Sequence, residues 1–141
     1  SYTLNKVVKN LVKSGLHVIA AAGNEDNDAC NASPASEDSV MTVGASDKLD
    51  AMANFSNFGG CVDIIAPGVD ILSTFLGKNT RVMSGTSMAS PVVAGVYALI
   101  LAKHPNFSPD TIKKLVQRRC TKDLITNLKP DTPNCFVYSL S

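Results

Sequence analysis

The sequence lacks any block of one charge: 13 Lys and Arg stand against 12 Asp and Glu, a formal net charge of +1, and no stretch interleaves basic with aromatic residues. A nucleic-acid groove or a patch for anionic lipid needs such clustering, so no nucleic acid and no membrane surface is expected as a partner. Long apolar runs are also lacking. The longest, Pro91 to Ala102, is too short for a bilayer, and no charged leader followed by an apolar core opens the chain, so neither a membrane span nor a targeting segment is expected. No CxxC pair or Cys/His spacing suggests zinc. With no internal repeat, charge run or low-complexity linker, residues 1–141 read as one α/β unit with helices on both faces of a largely parallel sheet.

What is present fits a globular domain with a peptide or small-molecule ligand. Hydrophobic residues make up 45% of the chain, ample for a packed core. Four cysteines allow three pairings, with disulfides the better reading and free buried thiols the alternative. Asn-x-Ser sequons at Asn31, Asn54 and Asn106 fit the secretory pathway and an extracellular or vacuolar destination. The chain enters a helix-like pattern directly after Ser1, from which a longer protein with a segment upstream is expected.

Leu4, Val7, Val8, Leu11 and Val12 share one helical face, and Gly15 stops the helix. "LHVIAAAG" then reads as a strand buried on both faces, interrupted only by His17. "VMTVGA" and "VDIIAPG" are further strands, and "DILSTF" with "TRVMS" flanks Gly77-Lys78-Asn79 as a hairpin. Ser87 to Lys103 is apolar on nearly every side, with Pro91 tolerated in the first turn, so this helix is expected to run through the core. Ser108 caps a last helix with Pro109 at its first position.

Two stretches carry chemistry. In "VMSGTSMASPVVAG", Ser87 stands at the head of the apolar helix, where a backbone N–H is not used within the helix and the dipole favours a developing negative charge. On spacing alone the helix-cap reading of Ser87 prevails, since Ser and Thr are the preferred caps. The nucleophile elbow G-x-S-x-G is ruled out by Ala89 in place of its second glycine. In "AAAGN", Asn24 ends a buried strand, the end at which ligands bind in α/β sheets, although an Asn after Gly also starts turns.

"SGTSMASPVVAG" closely resembles the serine motif of subtilisin-like serine proteases. "VIAAAGN" resembles their oxyanion-asparagine strand, and "SPASEDSVMTVGASD", "ANFSNFG" and "DIIAPG" resemble their intervening blocks in the same order. Within that family the proteinase K branch is most similar, and "DACNASPAS", "GCVDIIAPG", "TKDLI" and "DTPN" look like fungal proteases of the cerevisin type. The resemblance covers nearly the whole chain and implies a subtilisin-like three-layer sandwich, incomplete here.

By the same resemblance, Ser87 is the nucleophile and Asn24 the side-chain oxyanion donor. Ala21, Ala22 and Gly23 form a wall of the pocket for the residue before the scissile bond. No cofactor is required for the chemistry. A structural Ca2+ is implied on the Asp63 carboxylate and the carbonyls of Asp38 and Val40, with waters completing six to eight oxygens. A Cys30–Cys61 disulfide is implied too, leaving Cys120 and Cys135 free or joined in a second bridge.

The sequence departs from the family in two places. Val92 stands where the family has a His after the Pro of the serine motif. The catalytic Asp and His motifs, which precede the Ser in subtilisin order, do not occur, so the chain is read as the C-terminal half of a catalytic domain. His17 lies in an apolar strand, and His104, seventeen residues along the helix, is about 25 Å from Ser87 at about 1.5 Å per residue, so neither replaces the base. The function expected is a serine-type endopeptidase acting on peptide or protein substrates, completed by an N-terminal half that brings Asp and His. The alternative is an inactive remnant that acts, if at all, by binding.

Overall fold

The structure, a computed structural model, describes residues 1–139; Leu140 and Ser141, the end of the expected unit, lie outside the described residues. Helix α1 (Tyr2–Lys13) is capped by the Ser1 hydroxyl, which accepts from the Leu4 N–H, and ends just before Gly15. The strands that follow are β1 (Ile19–Ala21), β2 (Met41–Ser46) and β3 (Ile64–Pro67). The hairpin β4 (Ile71–Phe75) and β5 (Asn79–Met83) turns through a 3-10 segment at Leu76–Lys78. Helices α2 (Thr86–Lys103) and α3 (Pro109–Arg119) follow, then β6 (Thr121–Lys122) and β7 (Cys135–Phe136). Ser108 caps α3 by accepting from the Thr111 N–H, with Pro109 in the first turn, where a missing N–H costs nothing.

The main sheet has the order β1-β2-β3-β7-β6, parallel throughout except for the last pair. Alternation along the strands sorts the core. Ile19, Met41, Val43, Ala45, Ile64 and Ala66 meet α2 and α3 on one face. On the opposite face, Ala20 meets Val8 of α1, while Ile65 meets Met52 and Ile125. Helices α2 and α3 cover one face, and α1 with loop residues covers the other, so both faces are packed, as a largely parallel sheet requires. The mixed, mostly parallel sheet with flanking helices is the expected fold class.

The structure corrects two expectations. The strand read over "LHVIAAAG" shrinks to Ile19–Ala21, because β2, its partner among the described residues, offers register from Ile19↔Met41 onward. Second, among the described residues α2 is covered on one side only. Its Ala89, Val93, Val96, Tyr97 and Ile100 face is buried against the sheet and α3, while Val92 is 37% and Leu99 52% exposed. The helix is apolar all round, but the described residues cover only one side. By length and composition α2 would suffice to cross a membrane; here its buried stripe is that of a helix packed on a sheet. The short β6 and β7 were not foreseen, since two-residue strands show no periodicity.

Both pairs of cysteines are bridged, Cys30 to Cys61 and Cys120 to Cys135. The first joins the 3-10 turn Ala29–Asn31 to the loop before β3, and the second pins the end of α3 to β7. Replacing Cys30 and Cys61 together by Ala should lower stability by about 3–4 kcal/mol, the chain-entropy value for a loop of this length. Equilibrium denaturation under oxidising conditions measures it, and an unchanged midpoint would show that the bridge adds nothing to the loop's own packing.

Candidate active site

The turn that ends β1 and the loop that opens α2 are brought together by one side chain. The Asn24 Oδ1 accepts from the Thr86 N–H at 2.8 Å and from the Thr86 hydroxyl at 2.9 Å. The same hydroxyl accepts from the Gly23 N–H at 3.2 Å. An amide has one acceptor oxygen and one donor nitrogen, so committing the oxygen to Thr86 fixes the orientation of Asn24 and leaves Nδ2 as its outward donor. Thr86 itself is fully buried, whereas Asn24 and Ser87 are exposed.

In this arrangement Ser87 is not the helix cap. The residue that opens α2 is Gly85, and the first helical N–H is capped from a distance by Asn24 rather than by a local serine. Ser87 is the second residue of the helix, and its hydroxyl makes no hydrogen bond among the described residues. The Thr86 N–H is taken by Asn24, and the Met88 N–H by the Gly85 carbonyl at 3.0 Å. Between them, the Ser87 N–H has no protein acceptor among the described residues. A free hydroxyl, a free backbone donor at a helix N-terminus and a side-chain amide donor thus share one corner.

Gly68 and Gly85 close this corner from below: the Gly85 N–H donates to the Gly68 carbonyl at 2.7 Å, and a Cβ on Gly68 would come within 2.7 Å of the Ala45 Cβ. A groove of about 400 Å³ opens beside Ser87, between the β4–β5 hairpin and the first turns of α2, with Phe75, Arg81, Met83, Met88 and Val92 on its walls. Val92, which replaces the family's His, is a partly exposed apolar wall residue here. Ala21 and Gly23 are half-buried, and Ala22 is fully buried against Ala29, Ala35 and Val62. The Ala22 methyl therefore faces the core, and at that position only backbone is left for a pocket wall.

A residue the sequence reading passed over organises the loop that carries Asn24. Asn57, from the "ANFSNFG" block and only 2% exposed, accepts on Oδ1 from the N–H groups of Glu25 and Asn27, both at 3.0 Å. Its Nδ2 donates to the Ala22 carbonyl and to Glu25 Oε2, both at 2.9 Å. Gly23 sits against this amide at φ +107, and a Cβ there would lie 2.2 Å from Asn57 Nδ2. Only glycine leaves room. Lys129 braces the loop from outside, donating to Asp26 Oδ1 at 2.5 Å, the Asn54 carbonyl at 2.6 Å and the Ser56 carbonyl at 3.1 Å.

Neither histidine approaches Ser87. His17 packs edge-on against Tyr97, about 15 Å along α2 from Ser87 at about 1.5 Å per residue. His104 caps the far end of α2 and stacks on Phe107 at 4.5 Å. Neither imidazole is placed to take the Ser87 proton.

The candidate calcium ligands do converge, but on a lysine. The Lys113 ammonium of α3 lies 2.7 Å from the Asp38 carbonyl, 2.5 Å from the Val40 carbonyl and 2.8 Å from Asp63 Oδ2. Burial pushes the Asp63 carboxyl above the ordinary carboxylate pKa, with Lys113 and the Thr42 N–H pulling the other way. No group of three or more Asp, Glu, His or Cys side chains among the described residues is arranged to hold a metal. As folded, the oxygens of Asp38, Val40 and Asp63 surround a positive charge.

Comparison with known proteins places the chain in a family. The Subtilase family profile matches residues 1–134. Cerevisin of Saccharomyces cerevisiae is 44% identical over 99% of this chain and 24% of its own length. The subtilisin-like serine protease Rho m 2.0101 of Rhodotorula mucilaginosa is 44% identical over 99% of this chain and 44% of its own. The crystal structure of a cold adapted subtilisin-like serine proteinase superposes with a TM-score of 0.98 at 39% identity, covering all of this chain and 51% of that one. The chain thus spans less than half the length of these curated relatives.

Asn57→Ala would strip two loop N–H groups of their acceptor inside the protein. The expected loss is on the order of 3 kcal/mol, read as a shifted urea midpoint, whereas the exposed Asn54→Ala should leave the midpoint in place. Equal midpoints for the two variants would show that solvent satisfies the loop unaided.

Proposed function

The chain belongs to the subtilase family, and we propose from that premise that it supplies the nucleophile and the oxyanion-binding half of a serine endopeptidase. One observation carries the reading: Thr86 holds the Asn24 amide by its oxygen, leaving Nδ2 and the unbonded Ser87 N–H as free donors at the helix end that bears the serine hydroxyl. Two donors so placed answer the need of a carbonyl oxygen that becomes negative as the carbon turns tetrahedral.

In this reading the Ser87 Oγ attacks the carbonyl carbon of a peptide bond and passes its proton to an imidazole. The Ser87 N–H and Asn24 Nδ2 hold the oxyanion. The C–N bond then breaks, the imidazole returns the proton to the departing amine, and the acyl group stays on Ser87 until water, deprotonated by the same imidazole, releases it. Ala21, Ala22 and Gly23 line the substrate side with small side chains and backbone. The imidazole and the Asp that orients it belong to another part of the protein. The exposed apolar faces of α1 (Leu4, Val7, Leu11) and α2 (Val92, Leu99) support a further segment packed there. The two disulfides and the exposed Asn31, Asn54 and Asn106 sequons support an oxidising, secretory compartment.

A fluorophosphonate probe tests the nucleophile. Residues 1–141 alone should not react at Ser87, while a protein that also carries the Asp and His segments should, and Ser87→Ala should abolish that reaction. Failure of the longer protein to react would favour an inactive, binding-only member of the family.

Asn24 can be tested with two substitutions that separate its roles. Asn24→Asp keeps an acceptor for Thr86 but loses the donor, so turnover should fall by at least about 10²–10³, a magnitude carried over from subtilisin, with the melting temperature nearly unchanged. Asn24→Leu should lose turnover and also destabilise, because the Thr86 N–H and hydroxyl lose their acceptor. A change confined to KM in Asn24→Asp would give Asn24 a role in substrate binding instead.

A further inference from the structure

We propose that the Lys113 ammonium is a resident internal cation that takes the place of a divalent metal at the junction of α3, the 38–40 turn and Asp63, so that this site holds without calcium and excludes it. An ammonium has three protons, and here all three have an acceptor: the Asp38 carbonyl, the Val40 carbonyl and Asp63 Oδ2. The distances to the Asp38 carbonyl and to Asp63, 2.7 and 2.8 Å, are those of charge-assisted hydrogen bonds.

Both Asp63 oxygens have further partners. Asp63 Oδ2 also accepts from the Thr42 N–H at 2.8 Å, and Oδ1 from Gln117 Nε2 at 3.0 Å. Lys113 and Gln117 stand one helical turn apart on α3, so a single helix face supplies both the charge and the amide that hold the carboxylate. Neither partner is a freely solvated surface group: the side chains of Lys113 and Asp63 are 16% and 17% exposed.

Two of the three carboxylates around this junction already face an ammonium. The small cavity at this junction is lined by Glu37, Asp38, Asp63 and Lys113. Glu37 is occupied by the Ser39 hydroxyl at 2.9 Å and by Lys9 at 3.7 Å. A calcium ion requires six to eight oxygens at about 2.3–2.6 Å, and placing one among these oxygens would set a double positive charge against the ammonium that already holds them. A lysine also delivers its charge with the fold itself, so the link between α3 and the 38–40 turn does not depend on ion concentration. The same donor set recurs at Lys129, whose ammonium meets one carboxylate and two carbonyls.

The test uses the complete protein, its backbone amides labelled with 15N, and calcium chloride or a chelator as the only additions. In the wild type, calcium should leave the Thr42 amide resonance, which reports on Asp63, unmoved. In Lys113→Ala, the melting temperature should fall by several degrees without calcium, and calcium should both move the Thr42 resonance and restore part of the loss. Folding of this variant only in calcium would be the same result in stronger form. A wild-type Thr42 resonance that moves with calcium would overturn the proposal, because the oxygens would then take the metal and release the lysine. So would a Lys113→Ala variant that melts with the wild type and ignores calcium. Should the variant fail to fold under either condition, the wild-type titration alone decides, moved or unmoved.

Discussion

The contact between Asn24 and Thr86 is the constraint on which the rest of the site depends. It joins residues 62 positions apart in sequence, the end of the first strand and the head of the apolar helix. With one oxygen it caps that helix, positions the Ser87 N–H and aims the opposite end of its own amide. A local capping serine would satisfy the helix equally well, but it would leave the strand end free to move and would consume a hydroxyl that has to remain unbonded.

Holding that contact requires the loop after β1 to be rigid, and it is braced from both sides. Asn57 fills the loop from within with four hydrogen bonds, Gly23 leaves room for that amide, and Lys129 gathers the outer side. Each is a polar group whose hydrogen-bonding capacity is used almost completely, and a partly satisfied network in the same place would cost stability. The Lys113 junction follows the same rule at the other end of β2, where an ammonium and a carboxylate tie α3 to the turn before the strand.

The packing shows the same economy on one side only. The α2 face that meets β2 and β3 is fully buried, while the face bearing Val92 and Leu99 is not. Its sequence is apolar in both directions, which is why the hydrophobic pattern alone placed the helix in the core. A pattern records what a helix is able to bury; which side is buried depends on the elements that meet it.

The sequence by itself determined the element order, the β4–β5 hairpin, the Ser108 cap and the family likeness that pointed to Ser87 and Asn24. These are carried by local signals: apolar periodicity, turn residues and a contiguous motif. The strand order with its unforeseen β6 and β7, the burial of only one side of α2, the capping of Thr86 by Asn24, the role of Asn57 and the ammonium at Lys113 were decided by tertiary structure alone. Asn57 lay within a quoted block, yet nothing local tells a buried asparagine that closes a loop from one that starts a turn. Lys113 on an amphipathic helix reads as a solvated charge. Its partners are more than 70 residues upstream for the carbonyls and 50 for Asp63. Hydrogen-bond acceptors of this kind are backbone oxygens that every residue carries, so only the folded chain shows which of them converge.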